Sequence, residues 1–256
     1  MSKVIIVRGK DPAAMVPRGL AELGVEVRGE KIVIKPNLIT NRPYPVTTSP
    51  ETVEALIRYF REGNEVIVAE GSGFGDTRII YQDLGYTELA ERYGVRLVDL
   101  NRDEYEVLEN PKATVLRRFE FPRTLKNAYL VSAAVLKRHS QAHVTLSIKN
   151  MLGGTIGGDK GRFHRLGLSE SIVDINLYKR PDLAVIDGRL SLSSELGGRT
   201  KEFGVMIFSE DPVAADAVGA RLLGHDPLHI KHLKLAQERG LGTCDLKSVK
   251  VSELEL

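Results

Sequence analysis

Apolar runs of strand length recur along this chain and alternate with segments of helical period, and no other feature of the sequence restricts the fold as strongly. The runs are Val4–Arg8, Lys31–Lys35, Glu65–Ala69, Arg96–Asp99, Ala128–Leu136, Leu183–Asp187 and Val205–Ser209. They are rich in Val, Ile and Leu with little polar alternation, the pattern of strands buried on both faces. Between them the helices mark their own ends. Ser49-Pro50 supplies an N-cap and a first-turn proline, Val53, Leu56, Ile57 and Phe60 form one apolar stripe, and Gly63 ends it. Asp211-Pro212 opens a second such helix, ending near Gly224, and Asp226-Pro227 a third, ending at Gly240. Asp11-Pro12 starts another, which Pro17 is expected to kink or split. The expected fold is therefore α/β, a largely parallel sheet flanked by helices. The stretch 101–127 is less regular, with Thr114–Phe121 read as an antiparallel hairpin or an edge strand. We read 1–256 as a single domain, and any division into two closely packed lobes would fall near 101–127.

Composition removes several function classes. The formal charge is only +2, aromatic residues make up 6% and Trp is absent, so the basic, stacking surface of a nucleic-acid binder is not expected. Cys244 is the one cysteine, which excludes a disulfide framework, a cysteine zinc site and an iron–sulfur cluster bound by this chain alone. The longest apolar stretch, near Tyr129–Leu136, is far short of a membrane span, and the first residues lack the apolar core of a signal peptide. The expectation is a cytoplasmic protein without membrane or nucleic-acid partners.

Several strand candidates end in a polar cluster. Lys31–Ile34 runs into Lys35, Pro36 and Asn37, and Val66–Ala69 into Glu70, Gly71, Ser72 and Gly73. Tyr129–Leu136 runs into Lys137, Arg138 and His139, Leu183–Ile186 into Asp187, and Val205–Phe208 into Ser209 and Asp211. In open parallel sheets ligands bind outside the carboxyl ends of the strands, so parallel strands would bring these clusters to one edge. Gly71-Ser72-Gly73-Phe74-Gly75 suits either a phosphate-cradling turn or a tight turn requiring positive φ; it is not a dinucleotide fingerprint. The glycine-dense run Gly153–Gly161 is not a Walker A loop, because Asp159 precedes Lys160 and no Ser or Thr follows it. It joins Lys149-Asn150 to Lys160, Arg162, His164 and Arg165, a concentration of cations suited to binding an anion, although an exposed flexible loop accounts for the glycines as well. Metal ligation is weaker. His229 and His232, or His139 and His143, are spaced for a shared ion, with Asp187 and Asp211 as carboxylate partners for a divalent metal. No G-x-S-x-G elbow supports a serine hydrolase. Asp216 interrupts the small-residue stretch Ala214–Ala220 and is expected to face the crevice.

Taken together these motifs resemble domain-of-unknown-function family 362. The resemblance is carried by Lys35-Pro36-Asn37-Leu38, Thr47-Thr48-Ser49-Pro50, Leu136-Lys137-Arg138-His139 and Val144 through Asn150. It continues through Lys160 and His164, Ile186-Asp187-Gly188 and Ser209 through Ala217. The family often has Lys-Thr-His where this chain has Lys137-Arg138-His139, and its members are often fused to ferredoxin-type iron–sulfur modules. The resemblance implies site positions at Lys35, Asn37, Lys137, His139, Lys149, Asn150, Lys160, His164 and Asp216. Two functions follow as expectations. One is an enzyme or enzyme subunit for a small phosphate- or carboxylate-bearing ligand. Its catalytic groups would be His139, His164, Lys149 and Asp216, and its ligand-binding groups Lys35, Asn37, Lys137, Asn150, Lys160, Gly71 and Gly73. The other is a non-catalytic scaffold that docks a ferredoxin-type iron–sulfur partner through the Lys149–Arg165 region.

Overall fold

A computed structural model describes residues 1–256. Eleven strands form: β1 (Ser2–Arg8), β2 (Lys31–Pro36), β3 (Glu65–Glu70), β4 (Arg96–Asp99), β5 (Tyr105–Glu109), β6 (Arg118–Pro122), β7 (Tyr129–His139), β8 (His143–Thr145), β9 (Leu183–Ser194), β10 (Gly197–Ser209) and β11 (Val249–Glu255). Nine helices accompany them: α1 (Pro12–Leu23), α2 (Pro50–Phe60), α3 (Thr77–Asp83), α4 (Tyr86–Tyr93), α5 (Ser147–Asn150), α6 (Arg162–Leu166), α7 (Leu168–Tyr178), α8 (Pro212–Leu222) and α9 (Lys231–Glu238).

The main sheet has nine strands in the order β11-β1-β10-β9-β7-β2-β3-β4, with β8 added against the end of β7. From β9 to β4 every neighbouring pair is parallel, as is β1 with β11. Only β10 runs against its neighbours on this path, antiparallel to both β1 and β9. The double-sided apolar strands have a direct cause. In β2, Ile32 and Ile34 enter one core and Val33 the other, so both faces need aliphatic side chains. Helices α1–α4 cover the first face, and α5–α9 with the β5–β6 hairpin cover the second. Phe119, Phe121 and Leu125 of the irregular stretch join the same core as Val33 and Ile67, so 101–127 is packed onto the sheet.

The starts of α1, α2 and α8 follow the sequence signals, whereas Asp226-Pro227 opens only a 3-10 turn and α9 begins at Lys231. Ser49 accepts from the Thr52 N–H ahead of Pro50, and Asp211 accepts from Val213 and Ala214 ahead of Pro212. Helix α1 is not split: it continues through Pro17 to Leu23. A proline at this position removes one bond, to the Ala13 carbonyl, while Met15, Val16 and Leu20 remain packed in the core. Gly19 on the same helix lies against the Phe208 ring, where an added Cβ would fall at 2.5 Å.

Two strand ends also differ. Because β10 is reversed, Ser209 lies opposite Ala184 near the start of β9, and Asp211 beyond it is at the edge away from the other polar ends. Strand β9 does not stop at Asp187 but continues to Ser194 and turns into β10. The extension carries Glu195 to the carboxyl edge, where the remaining clusters gather.

Candidate functional site

A cavity of about 450 Å³ opens at the carboxyl ends of β2, β3 and β7. Strand β2 contributes Asn37, β3 contributes Glu70 and Gly71, and β7 contributes Lys137 and His139. Strand β8 adds Thr145, α5 adds Lys149 and Asn150, the loop before α6 adds Lys160, α6 adds His164, and the β9–β10 turn adds Glu195.

Behind one wall is a closed polar network. Lys35 is fully buried and lies 2.9 Å from each oxygen of Glu70. The Glu70 carboxylate also accepts from the Leu38 and Gly71 N–H groups at 2.9 and 2.8 Å. Asn150 accepts from Lys35 and Asn37 and donates to the Lys35 carbonyl and the Ser132 hydroxyl. Burial lowers the Lys35 pKa, and the Glu70 carboxylate works in the opposite direction. Backbone closes over the pair: a Cβ on Gly153 would fall 1.9 Å from Glu70 Oε1. Lys35 itself does not line the cavity; it holds Glu70 and Asn150, which do.

The other lysines divide by their partners. Lys137 donates to Asn37 Oδ1, the Val46 carbonyl and the Glu195 carbonyl, at 2.8, 2.6 and 3.2 Å, which uses all three of its N–H groups. Lys160 donates to the carbonyl and hydroxyl of Thr155, at 2.8 and 2.9 Å, keeping one N–H free. Lys149 is 7% exposed and its ammonium has no acceptor in the protein. Burial brings Lys149 down to about 8, with Glu195 opposing. Burial, aided by the Lys149 charge, brings Lys137 to about 7. Lys160 falls to about 7 through burial, partly offset by Glu70. Beside Lys149 the Thr145 hydroxyl is buried and unpartnered.

The two cavity histidines are held as opposite tautomers. His139 Nδ1 accepts from the Gln141 and Ala142 N–H groups, both at 3.1 Å, which places its proton on Nε2. His164 Nδ1 pairs with Gln141 Oε1, an acceptor, which leaves Nε2 as a bare lone pair. The rings stack with centroids 6.2 Å apart. Burial and the Lys149 charge lower both, His139 to about 3, so both are neutral near pH 7. Burial opposes the charge on Glu195, but the Ser140 hydroxyl and N–H, together with His139, hold its carboxyl at about 2.

Of the expected site residues, the structure brings His139, His164, Lys149, Asn37, Lys137, Asn150, Lys160, Gly71 and Gly73 to one cavity. Asp216 is not a crevice carboxylate. It is fully buried behind α5, where its oxygens accept from the Ser147 and Ile148 N–H groups at 2.7 and 3.0 Å. Burial pushes its carboxyl up to about 8 against those two donors. The expected metal carboxylates are apart: Asp187 is held by Arg189, Thr52 and Tyr44, whereas Asp211 caps α8 at the opposite edge. No group of three His, Cys, Asp or Glu side chains has a ligand arrangement. His229 is exposed and His232 buried, and His143 faces His225, so neither histidine spacing makes a pair. Arg162 turns to the Ile156 carbonyl and Arg165 to Asp159, and neither lines the cavity. Glycine φ is positive at Gly75, whereas Gly71 and Gly73 line the wall with ordinary backbone. Sequence reasoning missed Glu195, Thr145 and Gln141. Glu195 carried one signal, the following Gly197-Gly198 pair that marks a hairpin turn.

A family model for a domain of unknown function, DUF362, matches residues 32–221. The chain belongs to the DUF362 family. All the cavity residues fall inside the DUF362 match, and β1, β11 and α9 lie outside it. A thylakoid-associated protein of Synechocystis sp. is 28% identical over 230 residues, covering 83% of this chain and 69% of its own length. The lactate racemase apoprotein of Thermoanaerobacterium thermosaccharolyticum shares the fold, with a TM-score of 0.56 and 13% identity over 87% of this chain. The DUF362 chain spans only 57% of that racemase. No helix of the DUF362 protein is long and apolar enough to cross a membrane.

Proposed function

We propose that the cavity is the active site of an enzyme that moves a proton on a small carboxylate- or phosphate-bearing substrate. The observation that carries this reading is the Lys149 ammonium, nine-tenths buried without an acceptor and flanked by two histidines of opposite tautomer. A buried cation without a partner is unfavourable, and an anionic ligand relieves it. Lys149 and the spare N–H of Lys160 would hold the anion. His164 Nε2 would accept a proton, a role worth about 10²–10⁴-fold, and His139 Nε2–H would hydrogen-bond the oxygen on which charge develops. Lactate, which gives the fold neighbour its name, belongs to the same chemical class of small carboxylates. The carboxylates reaching the cavity, Glu70, Asp159 and Glu195, are already paired with Lys35, Arg165 and Ser140, so the donor set does not suit a divalent cation and no step is assigned to one.

The test is a thermal-shift titration with inorganic phosphate, lactate and pyruvate, combined with deuterium exchange at the carbon next to the carboxylate, read by NMR. The wild-type protein is stabilised by at least one anion and Lys149→Ala is not. His139→Gln and His164→Gln keep the shift and lose the exchange. An anion shift unchanged by Lys149→Ala overturns the proposal.

A further inference from the structure

The four lysines at or behind the cavity differ in what deprotonation would break. Lys137 donates to three oxygens, and a neutral amine has too few N–H groups to keep them. Lys35 is held by both oxygens of Glu70, and Lys160 by Thr155. Lys160 could lose its spare proton and keep both bonds to Thr155, which hold its amine in place, whereas Lys149 has no bond inside the protein to lose and its amine is untethered. Its lone pair then faces the cavity from a fixed backbone. Asp216 ties the N–H groups of Ser147 and Ile148 on one side, and on the other Asn150 is bonded to Lys35, Asn37 and Ser132.

We infer that Lys149 is a nucleophile that captures the carbonyl carbon of a small 2-oxo acid as an imine. This rests on the acid–base reading of the same cavity and adds a covalent step to it. Lys149 Nζ adds to the carbonyl carbon and its surplus proton passes to His164 Nε2. His164 hands that proton to the carbonyl oxygen, which becomes a hydroxyl held by the His139 Nε2–H. The second N–H proton of Lys149 follows the same route as the C=N bond forms, so the oxygen leaves as water and both histidines end as they began. The sum is amine plus carbonyl giving imine plus water, and no oxidant or reductant enters. The substrate carboxylate is matched by the free N–H of Lys160 and by the unpartnered Thr145 hydroxyl in the wall. Desolvation is the usual means by which a lysine becomes nucleophilic near neutral pH, and burial brings Lys149 to about 8.

The experiment incubates the full-length protein with pyruvate and sodium cyanoborohydride, followed by intact mass and peptide mapping. The expected result is a reduced pyruvyl adduct on Lys149 ahead of every other lysine, and loss of that adduct in Lys149→Arg, whose fold is checked by circular dichroism. Thr145→Val is a second variant, expected to slow labelling while the fold is retained. Labelling of Lys149 no faster than that of exposed lysines such as Lys112 overturns the inference. If the phosphate shift abolished by Lys149→Ala persists in that case, the acid–base reading stands and only the imine falls. If neither labelling nor shift is found, both fall.

Discussion

The Lys35 side of the cavity and the Lys149 side are built from the same materials, buried ammonium groups and amides, with opposite accounting of hydrogen bonds. Around Lys35 every donor meets an acceptor: Glu70 binds the ammonium with both oxygens and also takes two backbone N–H groups. Around Lys149 the ammonium and the Thr145 hydroxyl meet nothing inside the protein. A satisfied buried network rigidifies a fold, whereas an unsatisfied one destabilises it and persists where a ligand completes it. Burial of charge thus does not separate the two sides here, whereas the bonding of the ammonium does.

The largest expected effect is on the satisfied side. Glu70→Ala leaves Lys35 buried and uncompensated and should lower unfolding free energy by about 3–5 kcal/mol in urea titrations. A loss well under 1 kcal/mol would show that Lys35 reaches water and that the two sides are alike. The opposite sign is expected for Lys149→Met, which removes a desolvated charge with no bond to lose. The shift from 10.5 to about 8 amounts to about 3 kcal/mol of gain at pH 6. The folded-state pKa of Lys149 lies below the unfolded one, so between about pH 8 and 10.5 the unfolded chain binds more protons and wild-type stability rises with pH. The advantage of Lys149→Met therefore shrinks across that window, which denaturation at the two ends measures.

Asp216→Asn tests the support beneath α5. It replaces one accepting oxygen by a donor facing an N–H, and about 1–3 kcal/mol should be lost. Anion affinity should fall with it, because the turn that carries Lys149 loosens. Unchanged affinity in a destabilised variant would separate the turn from the site. The smallest effect is a proton count. An anion beside Lys149 raises its pKa, so phosphate binding near pH 8 takes up a fraction of a proton, read by calorimetry in buffers of different ionisation heat. Zero uptake would place the anion elsewhere.

Much of this architecture is legible in the residues, and the failures have physical causes. The double-sided strands announce a mostly parallel sheet, and the polar ends of β2, β3 and β7 announce the edge at which the cavity opens. The direction of β10 is not legible, because an apolar strand reads the same either way and nothing local marks an antiparallel neighbour. That one reversal moves Asp211 to the far edge and puts Glu195 in the site. Asp216 stands out as a misfit among small residues, but a periodicity argument cannot tell a carboxylate facing a cavity from one facing two backbone N–H groups. Which lysine lacks a partner is likewise a property of three-dimensional packing alone.

The floor formed by Gly71 and Gly153 limits how this cavity can be re-engineered. At Gly71 an added Cβ meets the Gly153 carbonyl at 2.8 Å and Lys160 Nζ at 3.2 Å, and at Gly153 it collides with Glu70. Depth is therefore fixed by main chain: a side chain at Gly153 collides with the ion pair, and one at Gly71 collides with the Gly153 carbonyl. Selectivity among ligands of different length has to be tuned at Ile39, Phe74 and Leu196, which can be exchanged without touching that floor. A library confined to those positions would vary ligand scope while leaving both histidines and the free amine in place.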